Sequence, residues 1–231
     1  MLKDIKVIAF DIDGTLYPDY RLYRKLVFYV LRHAKFYMHF LAVRKILHRT
    51  APLSDFYEYQ GRLLAEELGC SVDEARFKID SIVYKGLTPY LEKTKPFRHV
   101  EECFSKIKEA GYRIALLSDF PPSQKGDTWG LLKYCDVVLG SEESGALKPS
   151  KYPFGILSLK MNVRPEEILY VGNSIKYDVC GSKNAGMKSA LIMSRAEIFF
   201  RRLFGKPSRA EDIGTDILFS DYRQFTNLVL Q

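Results

Sequence analysis

Two carboxylates, Asp11 and Asp13, stand two residues apart where the apolar run Lys6-Val7-Ile8-Ala9-Phe10 ends, and Gly14-Thr15 follow at once. If the chain turns at Gly14, both acids face one site. One can attack phosphorus, while the other protonates the leaving oxygen and later deprotonates water. A carboxylate approaching a phosphate dianion needs cations to offset the repulsion, which Lys148 and Mg²⁺ would supply. Ser118 and nearby backbone N–H groups would hold the phosphate oxygens, so Thr15, Ser118, Asp119 and Lys148 form the candidate substrate-binding set. A further polar group, Gly172-Asn173-Ser174 with Asp178, completes the inventory. Singly, each has an ordinary explanation: a strand-end Asp caps turns, Ser-Asp is common in loops, and a lone Lys is usually solvated. Their joint placement is what points to phosphoryl transfer.

That placement depends on the elements between them. Apolar runs like the first recur at Arg113 to Leu117, Asp136 to Leu139, Ile168 to Val171, Ala190 to Met193 and Asp216 to Phe219. Helical patterns separate several of them. From Val100 to Ala110 the apolar residues Val100, Cys103, Phe104 and Ile107 keep i, i+3, i+4, i+7 spacing, and Gly111 supplies a stop. Arg164-Pro165-Glu166-Glu167 reads as a helix edge. The alternation predicts an α/β fold, a Rossmann-like doubly wound parallel sheet whose ligands bind beyond the carboxyl ends of its strands. All the polar groups named above lie at or just after such ends. Residues 17–90 break the alternation and read as helices at about 20–48, 54–68 and 72–84, the last opened by a capping box at Ser71 and Glu74. The predicted organisation is therefore an α/β core, 1–16 and 91–231, with an inserted helical cap, 17–90, whose return linker is marked by Pro89 and Pro96.

In this order the motifs resemble those of the haloacid dehalogenase superfamily, in the phosphatase-like subfamily with a helical cap after the first motif. Asp11 to Thr15 matches D-x-D-G-T in full, Ser118 the second motif, Lys148-Pro149 with Phe154 the third, and Val171 to Asp178 with Ala185-Gly186-Met187 the fourth. The resemblance implies that Asp11 forms an aspartyl-phosphate and binds Mg²⁺. It implies that Asp13 is the general acid/base and lends its backbone carbonyl to the metal. Ser118 and Lys148 would bind phosphate, Lys148 also screening Asp11. A second Asp in the first motif favours phosphatase over dehalogenase. The metal set implied is Asp11, Asp13, Asn173 and Asp178, and here the chain departs from the pattern: Asn173 stands where the family usually has a metal-binding Asp. A unit-charge pair at about 4 Å is worth about 4 kcal/mol at an effective dielectric near 20, so Mg²⁺ should bind more weakly but still bind, with Asp178 compensating in part. The expected activity is Mg²⁺-dependent hydrolysis of a small phosphorylated metabolite. Transfer to a sugar (a phosphomutase or phosphotransferase) and a catalytically weak binding or regulatory role are the alternatives.

Charge is unevenly spread. The net +7 arises from Tyr20 to Arg49, which holds eight Lys or Arg and no acid, so the remainder is nearly neutral. Tyr23, Phe28, Tyr29, Phe36, Tyr37 and Phe40 interleave with those charges. Arg32, His33, Lys35 and His39 interrupt 26–43, which argues against a membrane-spanning helix. Two readings remain: a cap helix with one core face and one solvated basic face, or a basic face that attracts an anionic substrate or makes weak contact with an anionic membrane through 20–49. Residues 199–204 share the character. No nucleic-acid fold accompanies the charge. His33, His39, His48 and His99 lack metal-ligand spacing and read as structural or solvated, and no Walker loop or G-x-G-x-x-G is present. Four dispersed cysteines and a start, Met1-Leu2-Lys3-Asp4, without a cleavage site predict a reduced, cytoplasmic protein without a secretory signal.

Overall fold

A computed structural model describes residues 4–231; Met1 to Lys3, on which the expectation of no secretory signal partly rests, lie outside the described residues. Six parallel strands form one sheet: β1 Val7–Phe10, β2 Arg113–Ser118, β3 Val137–Gly140, β4 Ile168–Gly172, β5 Lys188–Ile192 and β6 Ile217–Phe219, in the order β3-β2-β1-β4-β5-β6. All six apolar runs are strands, and β1 lies between β2 and β4. Because side chains alternate along a strand, β1 feeds two cores. Ile8 and Phe10 pack with Phe104 of α6 (Val100–Glu109) and Phe225 of α11 (Tyr222–Leu230), the Phe10 ring lying 4.6 Å from Phe104 and 5.9 Å from Phe225. Val7 and Ala9 face the other side, with Phe154, Leu157 and Met161 of α7 (Lys151–Met161). Helices on both faces make the sheet doubly wound. Its reversal point falls at β1, where connections diverge to β2 on one side and β4 on the other, and ligands of such sheets bind there.

The insertion after β1 is all helical: α1 Asp19–Arg32, α2 Ala34–Leu47, α3 Phe56–Leu68, α4 Val72–Lys78, a wide turn Ile79–Tyr84 and α5 Lys85–Glu92. The single helix predicted over 20–48 is two helices, broken at His33 (φ −112°, ψ 24°). Two targets explain the break. Leu22 and Leu26 of α1 pack into the core beneath the sheet, whereas Phe36, Phe40, Val43 and Leu47 of α2 build the cap's own core with Phe56 and Leu64. The helix opened at Ser71 runs on through Pro89 to Glu92, so Pro89 lies inside α5 and not in the return linker; buried Leu91 and half-buried Leu87 carry the helix past it. At Ser71 the Glu74 N–H donates to Ser71 Oγ (3.2 Å), but the Glu74 carboxylate pairs with Lys78 (2.7 Å). Arg164 to Glu167 forms a single tight turn leading directly into β4.

Candidate active site

Backbone pairing places Asp11. Its N–H donates to the Val171 carbonyl (2.9 Å), one step beyond the β1–β4 ladder. The chain then turns: the Thr15 and Leu16 N–H groups both donate to the Ile12 carbonyl, and Tyr222 Oη donates to the Thr15 carbonyl (2.7 Å) from α11. Gly14 sits at φ +76°, and a Cβ there would collide with Asn173 Nδ2 and the Asp19 carboxylate. Only glycine fits that turn.

Lys148 joins the two sides of the switch point. Its Nζ donates to Asp11 Oδ1 (2.8 Å), Asp178 Oδ1 (2.7 Å) and Tyr170 Oη (3.3 Å), and Tyr170 passes its own proton to the Leu117 carbonyl (2.9 Å). All three ammonium protons are thereby used, as a buried lysine requires. Asp178 Oδ2 accepts the N–H groups of Asn173 (3.1 Å) and Ser174 (2.9 Å), so this carboxylate is turned to Lys148 and the loop backbone. A Cβ on Gly172 would strike it. Thr15 Oγ1 donates to Asp11 Oδ2 (2.9 Å) and lies 3.5 Å from Asn173 Oδ1. Asp119 Oδ1 accepts the Lys148 backbone N–H (3.1 Å).

Asp13 has separate partners. Tyr17 Oη donates to its Oδ1 (2.5 Å) and Ser118 Oγ to its Oδ2 (3.1 Å). Lys125 Nζ lies 3.2 Å from Oδ2, an ion pair without hydrogen-bond alignment, and this 3% exposed ammonium has no hydrogen-bond partner.

These surroundings set opposite ionisation tendencies. Burial pushes the Asp11 carboxyl up to about 8 against the pull of Lys148, with Asp178 and Asp13 adding repulsion. Burial also works upward on Asp13, but the Lys125 charge and the hydrogen bonds from Tyr17 and Ser118 outweigh it and hold the group below its ordinary value. Lys148 is itself buried, which works against its charge, yet Asp11 and Asp178 raise it well above the usual lysine range. Asp19, whose Oδ2 accepts from Asn173 Nδ2 (3.4 Å), is pushed up to about 6 by burial and by Asp13.

A cavity of about 260 Å³ opens over Asp11, Asp13, Lys148, Asn173 and Asp178. Its far wall comes from α2 and the residue that caps it, His48, which the sequence alone marks only as structural or solvated. His48 Nδ1 is 2.6 Å from the Lys148 carbonyl and therefore carries the proton, and the ring stacks on Tyr177 at 4.5 Å. Arg44 is also in that wall but is committed to buried Glu142 on the loop after β3; Glu142 also accepts from Tyr84 Oη (2.8 Å). This pair ties cap to core.

All eight predicted residues thus gather at one sheet edge: Asp11, Asp13, Thr15, Ser118, Asp119, Lys148, Asn173 and Asp178. Tyr17, Asp19, Lys125 and Tyr170 were missed. The only signal for them was proximity to a motif residue, and for Lys125, inside Pro-Pro-Ser-Gln-Lys-Gly, nothing sets it apart from a solvated loop lysine.

Residues 5–186 match the haloacid dehalogenase-like hydrolase family. The chain belongs to that family. Among haloacid dehalogenase-like relatives it is similar to a ribulose-1,5-bisphosphate 5-phosphatase of Halopiger xanaduensis, 26% identical over 80% of this chain and 83% of the relative. A glyceraldehyde 3-phosphate phosphatase of Methanothermobacter thermautotrophicus is 26% identical over 82% and 86%. Its fold superposes on a haloacid dehalogenase-type phosphatase of Thermococcus onnurineus with a TM-score of 0.63 at 20% identity, covering 97% and 98% of the two chains. The protein is thus an enzyme, a haloacid dehalogenase-like hydrolase with an inserted helical cap.

Proposed function

We propose that this hydrolase cleaves small phosphate monoesters through a phosphoryl group carried on Asp11, with Mg²⁺ as cofactor, in the cytoplasm, and that residues 17–90 act as the cap over the site. The observation that carries the reading is the geometry of two acids, each in contact with a buried lysine, at the reversal point of the sheet. With no ion bound, burial favours a proton on Asp11, while the Lys125 charge favours an ionised Asp13. Turnover needs the reverse, an ionised nucleophile and a protonated acid. An incoming phosphate dianion beside Asp13 raises that carboxyl's affinity for a proton. Lys148 keeps Asp11 oriented through Oδ1, and the Ser118 hydroxyl is placed to turn from Asp13 to a phosphate oxygen. After transfer, Asp13 takes a proton from water as it attacks the acyl phosphate.

Among the described residues, no group of three or more His, Cys, Asp or Glu is drawn together around a common point. The donors near Asp11 nevertheless suit magnesium in kind: its own carboxylate and the Asn173 amide oxygen next to Thr15 are hard oxygen ligands, the Asp13 carbonyl would be a third by resemblance to the family, and Mg²⁺ commonly takes one or two carboxylates and keeps its waters. Bound there, with Asp178 behind, the ion would supply positive charge beside Asp11 and the phosphate oxygens. Mg²⁺-dependent release of inorganic phosphate from a panel of phosphate esters tests the function, and a panel without any release would overturn it. Asn173→Asp restores a full negative charge and is expected to lower the Mg²⁺ concentration for half-maximal turnover by roughly tenfold. An unchanged metal titration would remove Asn173 from the ligand set.

The basic helices favour a second contact, with anionic membrane surfaces. Phe28 is 84% exposed and Met38 is also exposed, on the two helices that carry Arg24, Arg32 and Lys35. Helix α9 (Arg195–Leu203) buries no residue and exposes Phe199, Phe200 and Leu203. No helix among the described residues is long and apolar enough to cross a membrane, so the contact would be interfacial. Co-sedimentation with phosphatidylserine-containing vesicles is expected at low salt and lost at high salt; no binding at either would leave the basic face simply solvated.

A further inference from the structure

Beside the polar cavity lies a second and larger one, about 650 Å³, within the range of pockets that enclose a small organic ligand. The two are continuous in their walls: Asp13, Phe40, Leu41 and Phe120 line both. The rest of the larger wall is aliphatic and aromatic, with Leu22, Leu26, Val27 and Leu31 from α1 and Leu87 and Leu91 from α5. Its charged groups are Asp13 and Asp19, both acidic, and it offers no Lys or Arg to a carboxylate or a second phosphate. Of the other polar groups, Tyr17 Oη is spent on Asp13, Gln124 Nε2 on the Val83 carbonyl (2.7 Å) and Tyr37 Oη on the Ile82 carbonyl (3.5 Å), and Tyr23 is an exposed lining residue. Val27, Leu31 and Leu41 nevertheless leave much of their surface uncovered, an apolar wall without an occupant from this chain.

The position of Asp13 connects this wall to the chemistry. A phosphate held at Asp11, Lys148 and Ser118 must direct its ester oxygen to the acid that protonates it, and that acid borders the apolar cavity. We infer that the preferred substrates are phosphate monoesters of apolar alcohols, with the alcohol lying between α1, α2 and α5. This rests on the phosphatase reading above. As the Asp11–phosphorus bond forms, the ester P–O bond breaks, the proton of Asp13 passes to the departing oxygen, and the neutral alcohol is left in the cavity; water then releases inorganic phosphate and restores both acids.

The test is a series of n-alkyl phosphates from ethyl to octyl, run with wild type, Asp11→Asn and Val27→Asp. Each fully buried methylene is worth about fourfold in binding, which sets a ceiling of about 4 × 10³ for the six added from ethyl to octyl, and with partial burial kcat/KM is expected to climb by about a hundredfold. Val27 is half exposed, so a carboxylate there leaves the cap core intact and is expected to flatten the climb. Asp11-dependent turnover that is flat or falls with chain length would overturn the inference while leaving the phosphatase reading in place. A climb that Val27→Asp does not alter would place the chain elsewhere and overturn it too. Absence of Asp11-dependent turnover at every length would sink both.

Discussion

Asp11→Asn is expected to lower the turnover of phosphate monoesters by on the order of 10⁴-fold, because an amide cannot attack phosphorus and nothing else at this sheet edge replaces it. The amide has nearly the same shape, and Tyr222 still holds the turn through Thr15. Lys148 keeps Asp178. The loss therefore reports chemistry and not collapse. Equal Mg²⁺-dependent turnover in the two proteins would refute the mechanism. The same substitution carries a pH signature in stability. Without a bound metal, burial in the folded protein pushes the Asp11 carboxyl up from 3.8 to about 8. Between those values the native protein holds a proton that the unfolded chain has released, so stability falls as pH rises through the window. Asparagine has no such proton to lose. The variant is expected to melt above wild type at pH 8, by about 3 °C for each 1 kcal/mol relieved, with the gap closing toward pH 4.

Lys148→Met removes the one cation that Asp11 and Asp178 share. Both carboxylates are buried, and breaking a buried ion pair from one side costs about 3–5 kcal/mol because the remaining charge is left without a partner. Methionine fills much of the volume, so packing is not the main loss. The expected result is a strong destabilisation at pH 8 that shrinks at pH 5 as Asp11, deprived of its cation, takes up a proton, together with a fall of about 10³ in kcat/KM from the lost phosphate contact. Chemical denaturation at the two pH values separates these causes. A variant as stable as wild type at both would show that Lys148 is not the keystone of the pair. Lys125 is not expected to substitute, since it is paired with Asp13.

The strands could be read in advance because each is a short apolar run closed by a polar or glycine residue, and the six runs became six strands with small shifts at their ends, as at Lys188–Ile192. The acids at positions 11 and 13 were visible for a related reason: they end the first run, and Gly14 announces the turn. What stayed hidden depends on three dimensions. Nothing local says that Lys125, seven residues after Ser118, folds back onto Asp13, or that Tyr170, an ordinary strand residue, bridges Lys148 to β2. No glycine or proline marks the break at His33; it arises because two apolar stripes serve two different cores. Pro89 misled in the opposite way, since burial of Leu91 carried the helix beyond it. His48 gave no metal-like spacing, yet the cap sets it against the carbonyl of Lys148.

The insertion leaves the sheet after Leu16 and comes back at Phe97, where the Phe97 N–H donates to the Leu16 carbonyl (2.9 Å), so its two ends meet at one point. In the reaction proposed, most groups around the phosphate lie outside that loop of chain, and most of the wall facing the alcohol lies inside it. The enzyme is thereby divided into a part that determines how a bond is broken and a part that determines whose bond it is. A lineage can rewrite the second without relearning the first.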